Sequence, residues 1–419
     1  MKGLFIFRRD LRLYDNTGLI QACKECDVVY AVFILDPAQI TPKKNKYFTY
    51  TGFHFMLQSL ADLKREMPAI TFKHGTPAAV IKQLISEYKI DQVYINEDYT
   101  PYSVERDKAI ENAIAPIKLV RCSDYCLNTA HDIKPYKVYS AYYKVASKQR
   151  VRKPVKFTGQ VKSAGKSVIL APLIKFAVTG CKKQHTDMAL VQQGGRDAGL
   201  ACLRSFQKRI TSYKTTRNLL TSETSRLSPH LKFGTLSIRE VYYECDVAYF
   251  RRELYWRDFF MQVSYHFPEV FKHNYRYKIR WSNNKEHLLA WQRGETGYNI
   301  VDAAMVQLNT TGFMHNRARM IVASFLTKIL HIDWRLGEHY FATRLTDYDP
   351  SSNNGNWGWV AGVGVDAQPY YRIFNPYIQQ KKFDPKGEYV KRWLGDRKPI
   401  EPIVDYEKER KRALTLIQK

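Results

Sequence analysis

The chain has 419 residues and a mass of 49.0 kDa, which is long for one ordinary domain and sufficient for two. Apolar residues make up 45% of it and charged residues 25%, a globular composition that excludes wholesale disorder. The 66 Lys and Arg against 40 Asp and Glu give a formal net charge of +26, which points to a polyanionic partner. Aromatic residues reach 14%, so the composition suits nucleic acid, a flavin or both.

No stretch of the chain reaches the roughly 18 apolar residues that a membrane span requires. The apolar run that follows Met1 is also too short for a signal peptide. We therefore expect an intracellular protein, cytoplasmic or nuclear, with no membrane partner. The seven cysteines are odd in number and lack framework spacing, which favours a reducing compartment. Nothing ties their two close pairs, at 23–26 and 122–126, together, so we predict no metal site.

Strand and helix patterns alternate through the first 125 residues. The predicted strands are the short apolar or β-branched runs at 4–7, 28–35, 70–73, 92–96 and 118–121. Helical patterns lie between them, notably at 51–66 and 77–88, and Thr76 with Pro77 suits the start of a helix. This alternation predicts a doubly wound, Rossmann-like parallel sheet, which we assign to residues 1–130.

A basic connector is predicted over residues 131–199. Between 133 and 186 the chain has 13 Lys or Arg and no Asp or Glu, which amounts to half of the net charge. Prolines and glycines interrupt the stretch and predict a long path over the surface. Two interpretations stand level, a solvated linker and an electrostatic surface for nucleic acid.

From about residue 200 onward the pattern is helical, so we predict an all-α domain over residues 200–419. Ser228, followed by proline, is expected to begin one helix. Ser237 and Glu240 have the spacing of a capping box at the start of the next helix. The predicted fold is therefore an α/β domain followed by an all-helical one.

Several segments of the helical half have polar residues in unusual patterns. The hydroxyls and arginine of residues 224–228 gather at a helix N-terminus, which suits a diphosphate. Glu253, Trp256 and Arg257 share one helix face and favour a flat ligand with polar edges.

Two further segments lie nearer the C-terminus. Asn316 and Met320 are one turn apart and offer an amide and a soft apolar contact to the same cavity, with Arg317 placed to reach a phosphate. The acids and amides between 347 and 359 suit the hydrogen-bonding edge of a heterocycle.

These motifs resemble those of the photolyase/cryptochrome family, and the resemblance covers nearly the whole chain. The segments at 7–16, 224–228, 256–259, 297–305 and 353–355 resemble its signatures and occur in the same order. The resemblance implies an antenna-type α/β domain and a helical catalytic domain that binds FAD.

The resemblance also implies roles for single residues. FAD is expected to be held by Tyr213, Thr224, Ser225, Arg226, Leu227, Ser228, Phe250, Arg257, Asp347, Asp349 and Asn353. The family places the residue at Asn353 next to flavin N5. Trp281, Trp334 and Trp357 match the family's tryptophan chain, which photoreduces the flavin.

Within this family, the sequence most closely resembles the class I enzymes, which repair cyclobutane pyrimidine dimers. Enzymes for (6-4) photoproducts place two histidines where this chain has His315 and Asn316. DASH-type cryptochromes favour Gln and Tyr where it has Met320 and Trp359. The implied activity is that of a deoxyribodipyrimidine photo-lyase, a carbon–carbon lyase. Reduced FAD donates an electron to the dimer under near-UV or blue light, the ring splits, and the electron returns.

The same resemblance implies a substrate pocket above the flavin. Glu253 is expected to hydrogen-bond the pyrimidine edge and stabilise the radical anion, with Asn316 supporting flavin and dimer. Trp256 and Trp359 would form an aromatic wall, and Met320 would fill beside them. The residues expected to contact the DNA backbone are Arg217, Arg317, Gln379 and Lys382.

Alternatives remain at this point. The chain is also compatible with a cryptochrome-type blue-light photoreceptor without repair, with DASH-type repair of single-stranded DNA, or with a basic nucleic-acid-binding protein that ignores light. An antenna chromophore is left open, because Glu105 resembles a contact of folate-binding members whereas Val104 departs from their Asn. We expect a monomer.

Overall fold

A computed structural model describes residues 1–367 and 372–418 of the chain. Its N-terminal part is a five-stranded, all-parallel sheet in the order β3-β2-β1-β4-β5. The strands are β1 Lys2–Phe7, β2 Val28–Leu35, β3 Thr71–His74, β4 Gln92–Asn96 and β5 Lys118–Cys122. The predicted doubly wound fold is confirmed, and two strands have the bounds expected from the sequence.

Helices cover both faces of this sheet, and β1 shows why its strands read as continuous apolar runs. Phe5 and Phe7 pack into one apolar cluster, whereas Leu4 and Ile6 pack into the cluster on the opposite face. A parallel strand covered on both sides has no polar face. The covering helices are α1 Thr17–Glu25, α2 Pro37–Ile40, α3 Tyr50–Glu66, α4 Pro77–Tyr88 and α5 Pro101–Ile114.

The basic connector is more ordered than expected. It contains two helices, α6 Tyr139–Ala146 and α7 Ala171–Lys183, and residue 162 pairs beside β2. Ala177 and Cys181 of α7 are fully buried, and a Cβ on Gly180 would lie 2.0 Å from the Tyr50 ring of α3. The helix still runs over the surface, with one face exposed, but its small residues dock the other face closely on α3.

The C-terminal half is helical, as predicted, apart from one short antiparallel ribbon of β6 Lys278–Ile279 and β7 Ile417–Gln418. Single turns of 3-10 helix lie at Ala130–Asp132, Ile210–Ser212 and Pro268–Phe271. No helix of the described residues is long and apolar enough to cross a membrane. The helices are α8 Arg196–Gln207, α9 Tyr213–Thr216, α10 Ser228–Phe233, α11 Ile238–Glu244, α12 Ala248–His266, α13 Lys285–Arg293, α14 Asn299–Thr311, α15 Asn316–Lys328, α16 Trp334–Ala342, α17 Pro350–Ala361, α18 Pro376–Phe383, α19 Glu388–Leu394 and α20 Tyr406–Thr415.

The predicted capping box at α11 forms only in part. Ser237 caps the helix by accepting a 3.1 Å hydrogen bond from the Arg239 amide, and its hydroxyl donates to Asp15. Glu240 does not turn back toward the cap, because its carboxylate is held by Arg196 at 2.7 Å. The cap residue therefore joins α11 to the α/β domain.

A buried ion network fixes the two halves against each other. Arg12 and Arg239 both pair with Asp124, at 2.7 and 2.8 Å, and Arg239 also pairs with Asp15 at 2.7 Å. All four side chains are almost completely buried. Burial alone would raise the pKa of Asp124, but the two guanidiniums hold it well below its usual range. The α/β sheet and α11 therefore share one set of compensated charges.

Candidate cofactor and substrate site

The helical half contains a cavity of about 540 Å³, a volume within the range of cofactor sites. Its wall comes from α9, α10, α12, α15 and α17 and from the loops beside them. Four of the predicted site residues lie outside this wall, namely Trp281, Trp334, Gln379 and Lys382. The predicted residues that line it are Tyr213, Arg217, Thr224, Ser225, Arg226, Leu227, Ser228, Phe250, Glu253, Trp256, Arg257, Asn316, Arg317, Met320, Asp347, Asp349, Asn353, Trp357 and Trp359.

One part of the cavity wall is cationic. The guanidiniums of Arg226 and Arg319 lie 5.4 and 5.5 Å from the ring centroid of Phe313. Arg226 has a left-handed φ of 51°, and its carbonyl accepts a 2.9 Å hydrogen bond from Gln192. The adjoining α10 has only six residues, so the guanidiniums, more than a helix dipole, supply the positive charge. This part of the wall suits a diphosphate.

Asp347 lies beside these cations and has one free carboxylate oxygen. Its Oδ2 accepts hydrogen bonds from Ser228 Oγ at 2.6 Å and from Arg319 at 2.8 Å. Its Oδ1 is buried without a hydrogen-bond partner among the described residues. A buried acceptor left unpaired costs about 1–3 kcal/mol, so this position fits a ligand group that donates a hydrogen bond.

The stripe on α12 faces the cavity as its spacing predicted. Glu253, Trp256 and Arg257 all contribute to the wall. The Trp256 ring stacks on Tyr139 of α6, with centroids 3.5 Å apart and planes 6° apart. Glu253 forms an ion pair with Arg217, just beyond α9. Burial raises the pKa of Glu253, although Arg217 acts in the opposite direction.

Asp349 connects the cavity to the α/β domain. Its carboxylate caps α17 by accepting a 2.9 Å hydrogen bond from the Ser352 amide, and it pairs with Arg9, which follows β1. Burial opposes ionisation, but Arg9 and then Arg257 hold the pKa of Asp349 well below its usual range. Lys232 also lines this region, and burial together with the nearby Arg9 lowers its pKa to about 8. The cavity is therefore built partly by the N-terminal domain.

Asn353 presents an amide to the cavity from the first turns of α17. Its Nδ2 donates a 3.1 Å hydrogen bond to the backbone carbonyl of Glu338 on α16. This bond fixes the orientation of the amide and leaves the side-chain oxygen as an acceptor. Burial raises the pKa of the Glu338 carboxyl to about 7.

The three predicted relay tryptophans share one apolar cluster. Trp357 lines the cavity, Trp334 is buried, and Trp281 packs partly exposed against the same cluster. The Trp334 indole donates a 3.0 Å hydrogen bond to Asn274. A fourth tryptophan, Trp291, lies 6.2 Å from Trp357 between ring centroids and was not predicted.

The predicted DNA-contacting residues divide into two groups. Arg217 and Arg317 line the cavity, whereas Gln379 and Lys382 lie on α18. The two groups are neighbours, because the Arg317 guanidinium and the Lys382 ammonium lie 4.4 and 5.5 Å from the ring centroid of Phe383.

Sequence reasoning assigned no role to Arg319, Lys232 or Phe313. For Arg319 the sequence did contain a signal, because this residue is the second arginine of the Asn-Arg-Ala-Arg stretch at 316–319, where Asn316 and Arg317 were predicted to be site residues. Lys232 gave none, because its environment depends on Arg9, which is far away in the chain.

Comparison with known proteins agrees with this geometry. The family model for DNA photolyase matches residues 4–158, and the model for the FAD-binding domain of DNA photolyase matches residues 250–401. A deoxyribodipyrimidine photo-lyase of Alkalihalophilus pseudofirmus is 36% identical over 98% of this chain and 97% of its own length. The chain therefore belongs to the DNA photolyase family, and the resemblance seen in the sequence is confirmed.

Two solved structures extend the comparison. The archaeal photolyase from Sulfolobus tokodaii with two FAD molecules is 39% identical, with a TM-score of 0.89 and 99% of both chains covered. A cryptochrome from Synechocystis is 27% identical, also with a TM-score of 0.89 and 99% of both chains covered. Since repair enzymes and cryptochromes share this fold, the choice between them depends on the site residues.

Proposed function

We propose that this protein is a light-driven DNA repair enzyme, a deoxyribodipyrimidine photo-lyase that binds FAD and splits cyclobutane pyrimidine dimers. The observation that carries the proposal is the composition of one cavity. Cations suited to a diphosphate, an unpaired Asp347 oxygen and the Glu253–Trp256 stripe all line it. The names of the relatives support the same activity.

The residues of the cavity fit FAD. Arg226 and Arg319 would hold the diphosphate, and the free oxygen of Asp347 would accept a hydrogen bond from a hydroxyl or amino group. Asn353 would offer its amide oxygen to the flavin, and Trp357 would pack beside it. Bound FAD supplies light absorption and the electron that opens the cyclobutane ring. Tyr213, Phe250, Arg257, Asp349 and the rest of 224–228 complete the proposed contacts.

The substrate is proposed to enter the same cavity after the damaged bases flip out of the duplex. Flipping costs a few kcal/mol, less where damage has already weakened pairing, and photolyases are among the established examples of base flipping. Trp256 and Trp359 would provide an aromatic wall, Met320 an apolar contact, and Asn316 an amide. Glu253 would hydrogen-bond the pyrimidine edge where negative charge develops.

The positively charged rim would hold the DNA backbone. Arg217 and Arg317 at the cavity, with Gln379 and Lys382 on α18, are proposed to contact phosphates on either side of the lesion. Phosphate contacts of this kind position the duplex without reading its sequence.

Electrons are proposed to reach the cavity through Trp281, Trp334 and Trp357. The support is their common apolar cluster, with Trp357 at the cavity and Trp281 partly exposed. We also propose that the protein acts as a monomer. A reducing compartment of the cell is proposed as well, because all seven cysteines are free. An antenna chromophore in the α/β domain remains a proposal of unspecified identity.

A repair assay tests the function. The reduced, flavin-loaded protein is mixed with duplex or single-stranded oligonucleotides that carry a thymine cyclobutane dimer or a (6-4) photoproduct. We expect restored thymine from the dimer under blue light and none in the dark or from the (6-4) lesion. Photoreducible flavin without repair of either lesion would instead assign the protein to the photoreceptors. Repair confined to single strands would assign a DASH-type activity.

A further inference from the structure

The ion pair between Arg217 and Glu253 stands at the cavity where DNA is proposed to bind. Arg217 follows α9, and Glu253 lies on α12, so the pair joins two elements across the wall. Each side chain is about one-third exposed, at 36% and 34%. Both residues already have separate proposed tasks, a backbone phosphate for Arg217 and the lesion for Glu253. Both tasks compete with the ion pair.

The groups around Glu253 make Arg217 its main cationic partner. Arg252 on the same helix is the other nearby cation, and its guanidinium lies 5.5 Å from the ring centroid of Tyr139 on α6. Among the described residues, the other titratable neighbours are the phenols Tyr139 and Tyr213, neither of which carries charge at neutral pH. Burial raises the pKa of Glu253, and the positive charge of Arg217 lowers it more than that of Arg252 does.

The carbonyl of the lesion, where negative charge develops, favours a donor at this position. A pyrimidine carbonyl is a hydrogen-bond acceptor, and an ionised carboxylate is an acceptor only, so the two repel each other. The repulsion would grow when the dimer gains negative charge. A protonated carboxyl has an O–H to donate, and this removes the conflict.

We propose that Arg217 is a positioning residue that changes partners when damaged DNA binds, so that binding is coupled to protonation of Glu253. The inference rests on the proposed function. The guanidinium leaves Glu253 for a DNA phosphate, the carboxylate takes one proton from solvent, and the new O–H donates to the pyrimidine carbonyl. No other bond forms or breaks, and the flavin does not take part.

Elementary electrostatics favours each part of this exchange. A phosphate offers Arg217 a bidentate, charge-assisted contact and releases counterions from the DNA. A carboxylate that loses its cation and is then covered by a base is in an unfavourable state. Both changes act in the direction that burial already imposes on the pKa of Glu253, so proton uptake is the expected response.

Calorimetry of binding in the dark tests the coupling. The oxidised, flavin-loaded protein is titrated with a duplex carrying one thymine dimer, at several pH values between 6 and 8.5. Each titration is made in two buffers with different ionisation enthalpies, and the difference between the measured enthalpies counts the protons. We expect uptake that approaches about one proton at its maximum, and an affinity that falls by up to about tenfold per pH unit in that range.

Three variants test whether Glu253 is the group that takes up the proton. Glu253→Gln should abolish the uptake, and Arg217→Gln should reduce it, because Glu253 is then already partly protonated in the free protein. Arg317→Gln is the matched control. Arg317 also lines the cavity, but its guanidinium is bound to Asn218 at 2.8 Å and pairs with no carboxylate among the described residues. It should weaken binding and leave the proton count unchanged.

The inference is overturned if the dimer binds with no uptake across this pH range, or if Glu253→Gln takes up as many protons as the parent protein. The proposed function is tested separately by irradiating the same samples after reduction. Repair without Glu253-dependent uptake would overturn the inference alone, whereas the absence of light-dependent repair would overturn the proposed function.

Discussion

Individual side chains of the cavity carry different parts of the proposed activity. Asp347 is bonded to Ser228 and to Arg319 of the cationic wall, whereas Glu253 forms its ion pair with Arg217. We therefore expect substitutions at these two acids to separate flavin binding from repair.

Replacement of Glu253 should affect chemistry more than binding. Glu253→Ala should lower the quantum yield of dimer repair by about tenfold, since a hydrogen bond to a charged group contributes about 1.5–3 kcal/mol. Affinity for the damaged duplex should change less. Glu253→Gln retains an N–H donor and should preserve more of the yield. Equal losses of yield and affinity in Glu253→Ala would remove the residue from the ring-splitting step.

Replacement of Asp347 should affect the flavin itself. Asp347→Ala removes the acceptor shared by Ser228 and Arg319 and the free oxygen in the cavity. The dissociation constant for FAD should rise by about tenfold or more, measured from the flavin-to-protein absorbance ratio. Asp384→Ala is the control, because this buried acid lies outside the cavity wall and accepts hydrogen bonds from the Tyr389 and Val390 amides at the start of α19. Full flavin content in Asp347→Ala would contradict the assigned contact.

At the scale of helices and strands, the elements whose bounds were predicted correctly are those with a clear signal in the local sequence. The strand at 28–35 and the helix at 77–88 were predicted with their observed bounds, because burial on two faces and an N-terminal proline leave local signals. The helix α7 has the same proline signal, at Pro172, but the sequence around it was interpreted as a surface connector. Its burial depends on fitting small residues to α3, more than 100 residues earlier in the chain.

The close docking of α7 on α3 predicts that a side chain at position 180 destabilises the protein. A Cβ there would lie 2.0 Å from the Tyr50 ring, so Gly180→Ala should lower the free energy of unfolding by roughly 1–3 kcal/mol through overpacking. Urea denaturation measures the change. The comparison variant is Gly387→Ala, where nothing lies within 4 Å and only the left-handed φ of 68° is unfavourable. A neutral Gly180→Ala would show that α7 is loosely attached.

At the scale of the whole molecule, the formal charge of +26 implies strong dependence of DNA binding on salt. Arg317→Ala should weaken binding to any duplex and reduce the slope of log affinity against log salt by about 1. Filter binding at salt concentrations from about 50 to about 200 mM measures this slope. An unchanged slope would exclude Arg317 from the phosphate contacts.

The buried network between the halves should govern stability in acid. The folded pKa of Asp124 lies well below its usual range, so its contribution is fully present above its unfolded pKa of about 3.9 and is lost as the pH falls toward the folded value. Arg239→Met should lower the free energy of unfolding at neutral pH by about 3–5 kcal/mol.

Urea denaturation at pH 6, 4 and 3 checks this sign. The difference in free energy of unfolding between the parent protein and Arg239→Met should narrow on acidification. The reason is that a protonated Asp124 has no negative charge for the guanidinium to compensate. Arg121→Met breaks an exposed pair with Glu111 and should cost less than about 1 kcal/mol. A gap that stays constant down to pH 3 would contradict the assignment.

How much of the site was predictable depended on sequence separation. The stripe from Glu253 to Arg257 lies on one helix, and its spacing alone placed the residues on a common face. The contact of Arg9 with Asp349 spans 340 residues, and no local pattern encodes it. The division into 1–130, 131–199 and 200–419 stays a prediction.

The pairing of Arg9 with Asp349 limits how this architecture can be recombined. The arginine follows the first strand of the chain, and its partner caps the helix that bears Asn353 and Trp357. A helical half grafted onto a foreign nucleotide-binding domain would therefore lose Arg9, the larger of the two cationic influences that keep its own capping acid ionised, and would retain only Arg257. We therefore expect a functional chimaera to need an arginine just after the first strand of its N-terminal domain.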